Sequence, residues 1–104
     1  MSTSPEVFKS KFILWATLKA KPGKGDEVQE KLATIRAFAE SSAAPKTLTY
    51  RTTRYGDDFA IFEEYAEPSG LVEHKASAEF KALIELSDKL LEGPPTVHFF
   101  EEFV

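Results

Sequence analysis

The turn Gly56-Asp57-Asp58 divides the chain into two stretches of nearly equal length, residues 12–55 and 59–103, and each reads as strand, helix, strand. That duplication of order constrains the fold more than any other feature. In the first stretch Phe12, Leu14, Ala16, Leu18 and Ala20 alternate with Ile13, Trp15, Thr17 and Lys19. A period of two predicts a strand, because successive side chains point to opposite faces of a sheet. Lys21-Pro22-Gly23-Lys24-Gly25 stops it, and Asp26-Glu27 place negative charge where a helix N-terminus favours it. Val28, Leu32, Ile35 and Ala39 then form one helical stripe with Phe38 beside it, ended by Ser41-Ser42 and Pro45. Leu48 to Tyr55, rich in Thr and Tyr, predicts the second strand.

Phe59 to Tyr65 returns as the antiparallel partner of a hairpin. Pro68 opens a helical segment, since proline fits the first turn. Ser77 is placed as an internal N-cap, dividing that segment into Ser69–Lys75 and a longer helix, Ala78–Leu91. Phe80, Leu83, Ile84 and Leu91, extended by Leu90, give the longer piece an apolar face, and Gly93-Pro94-Pro95 ends it. Thr96 to Phe103 alternates as a final strand. The expected fold is α+β and ferredoxin-like, βαββαβ, a four-stranded antiparallel sheet with its helices on one face. Residues 1–11 are expected to be a flexible arm and residues 12–104 the domain.

Both faces of that sheet carry large apolar groups. Leu14 and Leu18 oppose Ile13 and Trp15 on the first strand; Phe59 and Ile61 oppose Phe62; Phe99 and Phe103 oppose Phe100. Helices can cover only one face, so the other needs a partner. The expectation is a homodimer packed sheet on sheet.

Composition narrows the chemistry. Of 104 residues 42% are hydrophobic, which argues against wholesale disorder. A net charge of −4 argues against a general phosphate-backbone binder, so no nucleic-acid partner is expected. No apolar stretch approaches the ~20 residues of a membrane span. The N-terminus lacks a signal-peptide core, so a cytoplasmic location is expected. Cysteine is absent, which excludes disulfides, zinc ribbons and thiol nucleophiles, and asparagine is absent as well.

The turn at residues 21–25 lacks the glycine-to-lysine spacing of a phosphate loop. Glu63-Glu64 and Glu101-Glu102 are strand neighbours facing opposite sides, so neither pair makes a metal or two-carboxylate site by itself; no metal is expected. His74 follows Leu71 and Val72 beside the break at Ser77 and would look into any space between helices and sheet. There it serves as general acid or base, or as a helix histidine bonded to a carbonyl. His98 lies on a strand and reads as packing or interface. Tyr65 ends a strand nine residues before His74, and its phenol could donate to an oxyanion. Trp15 reads as pocket wall or as core and interface, and Phe80 is the other candidate substrate-binding aromatic. Arg51 and Arg54 alternate faces, so at most one points inward.

The run FAIFEEYAEPSGLVEHKASAEFKAL, Phe59 to Leu83, resembles the central signature of the antibiotic biosynthesis monooxygenase family: a strand ending in Glu-Glu-aromatic, a helix with a histidine, then Ser-x-x-Phe. KPGKGDEVQEKL, Lys21 to Leu32, and LLEGPPTVHFFE, Leu90 to Glu101, fit the same pattern. The resemblance implies a dimeric α/β barrel with a pocket between sheet and helices in each protomer. It also implies oxidation of quinols, anthrones or related aromatics by molecular oxygen without metal or flavin. The family histidine falls on His74 and the aromatic after Glu-Glu on Tyr65, usually tryptophan in the pattern. Haem-degrading relatives use an Asn, Trp, His set; the absence of Asn and the presence of Tyr65 argue against that activity here. Some oxygenases of aromatic polyketides also use Asn, so their mechanism does not transfer intact. Glu79 stands where many relatives place a second histidine.

Two functions are therefore expected. One is a cofactor-independent monooxygenase of a small phenol or quinol, with His74 taking the phenolic proton and Tyr65 holding the ring oxygen. The other is non-oxidative: small-molecule binding, cyclisation or isomerisation in the same pocket.

Overall fold

A computed structural model describes residues 7–104 of the chain; most of the expected N-terminal arm, residues 1–6, lies outside the described residues. Alternation from Phe12 produces β1 (Phe12–Lys19), which sits inside a four-stranded antiparallel sheet of order β2-β3-β1-β4. Its companions are β2 (Thr47–Tyr55), β3 (Asp58–Tyr65) and β4 (Thr96–Phe100). The strands that open the two halves, β1 and β3, thus pair at the centre, from Phe12↔Tyr65 to Lys19↔Asp58. This is the expected ferredoxin-like arrangement, with α1 (Gly25–Ala39), α2 (Pro68–Ala76), α3 (Ala78–Glu85) and α4 (Ser87–Leu90) on one face.

Two glycines set the connections. Gly23 at φ 80° follows Pro22, and Lys24 N–H donates to Lys21 O at 2.9 Å, a type II turn that returns the chain from β1 to α1. Gly56 at φ 62° takes the first of two loop positions in the β2–β3 hairpin, where a type II′ turn requires glycine.

Register decides what each face contains. On the helix-covered face one row across the strands reads Tyr50–Glu63–Leu14–Phe99, and the next Thr52–Ile61–Ala16–Val97. Phe12, Leu14, Leu18, Phe59 and Ile61 there pack against Val28, Leu32 and Ile35 of α1 to form the core. The opposite face carries Arg51–Phe62–Trp15–His98 in one row, with Ile13 beside Phe100 in the next. Trp15 and Phe100 remain 43% and 44% exposed, so this second face carries large apolar groups left uncovered among the described residues. Among the described residues no helix is long and apolar enough to cross a membrane.

Two expected elements come out shorter. The helix expected over Ala78–Leu91 breaks at Leu86 into α3 and α4; Ser87 donates its hydroxyl to Ile84 O at 2.8 Å, a local bond that competes with helix continuation. The last strand ends at Phe100 rather than Phe103, its final pair with β1 being Ile13↔Phe100. Phe103, expected on the same face as Phe99, is therefore outside the sheet and exposed. Phe8, ahead of β1, stacks on Phe12 with ring centroids 5.5 Å apart.

Candidate functional site

β3 carries Glu63 onto the helix-covered face because it alternates with Phe62 and Glu64, which face the other way. The carboxyl group is thereby buried in an apolar layer, 5% exposed. Tyr65, two residues on and on the same face, donates its hydroxyl to Glu63 Oε1 at 2.5 Å. Above them α2 brings in His74, 2% exposed, with Nε2 3.9 Å from the same oxygen. The imidazole is held by rings: Tyr50 at 5.2 Å, Tyr65 at 6.0 Å, and Phe80 edge-on at 5.3 Å. Its Nδ1 is buried without a hydrogen-bond partner among the described residues.

Local sequence explains how α2 comes so close. A Cβ on Gly70 would stand 3.0 Å from Lys46 Cβ, 3.1 Å from the Tyr65 ring and 3.2 Å from Lys46 O, so glycine lets α2 lie on the end of β3 without displacing either. Ser77 fixes the break after α2. Its hydroxyl donates to His74 O at 2.8 Å and accepts the Phe80 N–H at 3.1 Å, capping α3 while tying it to the histidine's own turn.

Between this cluster and the helices lies a cavity of about 250 Å³, walled by Leu14, Leu32, Ile35, Leu83 and Phe99 and reached by Glu63, His74, Lys75, Tyr50 and Phe80. A larger and shallower depression of about 660 Å³, bordered by Thr53, Tyr55 and Gly93, contains no buried ionisable side chain. The chemistry lies in the smaller space.

Burial sets the protonation states there. Desolvation pushes Glu63 up to about 7, opposed by the Tyr65 hydrogen bond and by the charge of Lys75. Desolvation first, then Lys75, holds His74 down at about 4. Tyr50 and Tyr65 are both raised, by burial and by the nearby Glu63 charge. At neutral pH the histidine is an uncharged base, the carboxyl is close to its midpoint, and the phenols keep their protons. A neutral imidazole beside a carboxyl group is acid–base machinery. Among the described residues no group of three or more His, Asp or Glu could hold a metal ion.

The candidates read from the sequence separate. His74 and Phe80 line the cavity. Tyr65 is fully buried behind it, so its hydroxyl meets Glu63 rather than the space where a ligand would lie. Trp15 is on the other sheet face, edge-on to Phe62 at 5.3 Å, and has no part in the cavity. Arg54 turns toward α1, where Nη1 reaches Asp26 at 2.9 Å and Gln29 at 2.8 Å. Glu63, Tyr50 and Lys75 are additional lining residues. For Glu63 the signal was its alternation with Phe59 and Ile61, which assigns it to the core face.

No family model and no curated protein matches the chain. Solved structures match its fold over nearly its whole length. A Nitrosomonas europaea protein of unknown function is 26% identical, with a TM-score of 0.79 and 91% of each chain covered. A Caulobacter crescentus protein provisionally named an antibiotic biosynthesis monooxygenase is 24% identical, with a TM-score of 0.82 and 93% of each chain covered. A second Nitrosomonas europaea protein, provisionally given the same name, is 12% identical at a TM-score of 0.80, covering 91% of this chain and 93% of its own. The chain has the fold of these monooxygenase-named structures, in support of the resemblance drawn from Phe59 to Leu83.

Proposed function

We propose that the protein is a monooxygenase that oxidises a small phenol or quinol with molecular oxygen in the cavity beneath α2. The observation that carries this reading is the uncharged His74 set 3.9 Å from the buried Glu63 carboxyl at an otherwise apolar cavity. A hydroxyl oxygen about 2.8 Å from both groups would complete a compact triangle. His74 takes the phenolic proton and passes it to ionised Glu63, the more basic of the two groups in this cavity, whose own position Tyr65 fixes. The phenolate passes one electron to oxygen. Recombination at a ring carbon bearing hydrogen forms a C–O bond, and loss of water leaves the quinone. One oxygen atom enters the product and the other leaves as water. All four electrons come from the substrate, so the balance requires no external reductant. The low-dielectric walls strengthen each of these charge interactions.

Oxygen uptake with a panel of quinols tests this reading. General base catalysis contributes roughly 10²–10⁴-fold, so His74→Ala should lower turnover by at least about 100-fold. Unchanged uptake in that variant would overturn the assignment. The same acid–base pair also serves a non-oxidative isomerisation or cyclisation, and ligand binding without oxygen uptake would assign that alternative.

The uncovered face fits a homodimer joined sheet to sheet. Trp15, Phe62, Ile13 and Phe100 lie together there in two adjacent rows, an apolar surface of the kind that marks an interface. Light scattering at micromolar concentration should give twice the 11.6 kDa chain mass, and Trp15→Glu with Phe62→Lys should return the monomer.

A further inference from the structure

The cavity has a polar pattern beyond its acid–base pair. Its ionisable lining groups are Tyr50, Glu63, His74 and Lys75. The first three are buried at the sheet end, whereas Lys75 is exposed. Ile84 and Val97, other lining residues, are 46% and 41% exposed, so with Lys75 they mark the rim where the cavity meets solvent. The Lys75 ammonium has no carboxylate partner within ion-pair distance among the described residues, in contrast to Lys11 with Glu64 and Lys46 with Glu67. Its charge also reaches inward, lowering both Glu63 and His74. A chain of net charge −4 thus presents, beside the opening of its apolar cavity, a cation with no ion-pair partner among the described residues.

We infer that the substrate is a hydroxyaromatic acid whose carboxylate is held by Lys75 at the rim while its hydroxyl lies beside His74 and Glu63. This rests on the acid–base reading of the cavity and adds the chemical class of the molecule that fills it. About 250 Å³ lies below the ~300 Å³ at which drug-sized pockets begin, so the body is one or two rings. The apolar walls take that body, and the ends of the molecule differ in charge to match the ends of the cavity. A rim-exposed ion pair contributes modestly in water, enough for about a fivefold preference in affinity.

Anaerobic calorimetry with 1,4-dihydroxynaphthalene and its 2-carboxylate tests the inference, and oxygen uptake by the same pair tests the reaction separately. The wild type should bind the carboxylate about fivefold more tightly than the neutral diol. Lys75→Gln should abolish that preference and Lys75→Glu should reverse it, the preference being read as the ratio of the two affinities within each variant, with circular dichroism showing that each variant folds. Equal affinities in the wild type, an unchanged preference in Lys75→Gln, or binding of neither compound would overturn the inference. A Lys75-dependent preference without oxygen uptake would sustain it and sink the oxygenase reading. Uptake of the neutral diol with no preference for the acid would do the reverse.

Discussion

The two halves of the chain cover the same sheet face in different ways. In the first, α1 is one unbroken helix of 15 residues whose stripe of Val28, Leu32, Ile35 and Ala39 is fully buried. In the second, the covering segment is three short pieces, interrupted at Ser77 and Leu86. A regular stripe fills the groove beneath it; a segment that changes direction twice cannot, and the cavity lies under those changes. α1 lends the cavity only Leu32 and Ile35, while the second half supplies Glu63, His74, Lys75 and Phe80. One half builds the core and the other leaves room in it. Their common order of elements hides a division of labour.

The largest expected effect tests whether buried charge is concentrated in the second half. Unfolded Glu63 releases its proton near 4.5 and folded Glu63 near 7, so its burial costs increasing stability as pH rises through that window. His74 acts in the opposite sense: the unfolded chain takes the proton near 6.5 and the folded chain only near 4, so stability falls as pH drops. Between 4.5 and 6.5 the two nearly cancel in the wild type. Relative to it, Glu63→Gln should gain about 3 kcal/mol between pH 4.5 and 7, and His74→Phe should lose about 3 kcal/mol between pH 4 and 6.5. Urea titrations across pH measure both. Differences that stay flat with pH would show that neither group is desolvated.

A pair of glycines sharpens the contrast further. A Cβ on Gly70 meets backbone and the fixed Tyr65 ring, whereas one on Gly25 of α1 meets the far end of the Arg54 side chain and the Asp57 carboxylate. Overpacking at the first, partly offset by the better helix propensity of alanine, should make Gly70→Ala cost about 1.5 kcal/mol. Gly25→Ala should stay within about 0.5 kcal/mol, since Arg54 can swing away from an exposed ion pair. Equal costs for the two would erase the distinction between the halves. The smallest effect concerns caps. Ser77→Ala should lose about 1 kcal/mol, while Lys24→Ala, at an α1 N-cap that makes no side-chain bond, should be neutral by thermal unfolding.

What the sequence disclosed follows the same division. The β1 alternation, the α1 stripe, the glycine turn at Gly56 and the Ser77 cap are local signals, and the structure contains each. The break at Leu86 carries no Gly or Pro, and only the hydroxyl of Ser87 hints at it. The end of β4 is not marked in its own sequence, since Thr96–Phe103 alternates on past Phe100, the last residue paired with β1. At the candidate site, His74 stood out by type and position. Glu63 did not, because a carboxylate in a strand is ordinarily solvated, and its burial depends on a phenol two residues away and a helix that arrives later in the chain. Tyr65 was singled out for contact with a ligand, yet its hydroxyl is spent on that carboxyl group.

The segment above the cavity is tied down at both ends. Ala66 N–H donates to Lys46 O at 2.9 Å on one side; on the other Leu91 bridges Ala20, with Lys21 N–H to Leu90 O at 2.8 Å and Glu92 N–H to Lys19 O at 2.9 Å. A beam pinned at two supports can bow but cannot swing. The segment's two breaks, at Ser77 and Leu86, therefore lie inside a span anchored at both ends.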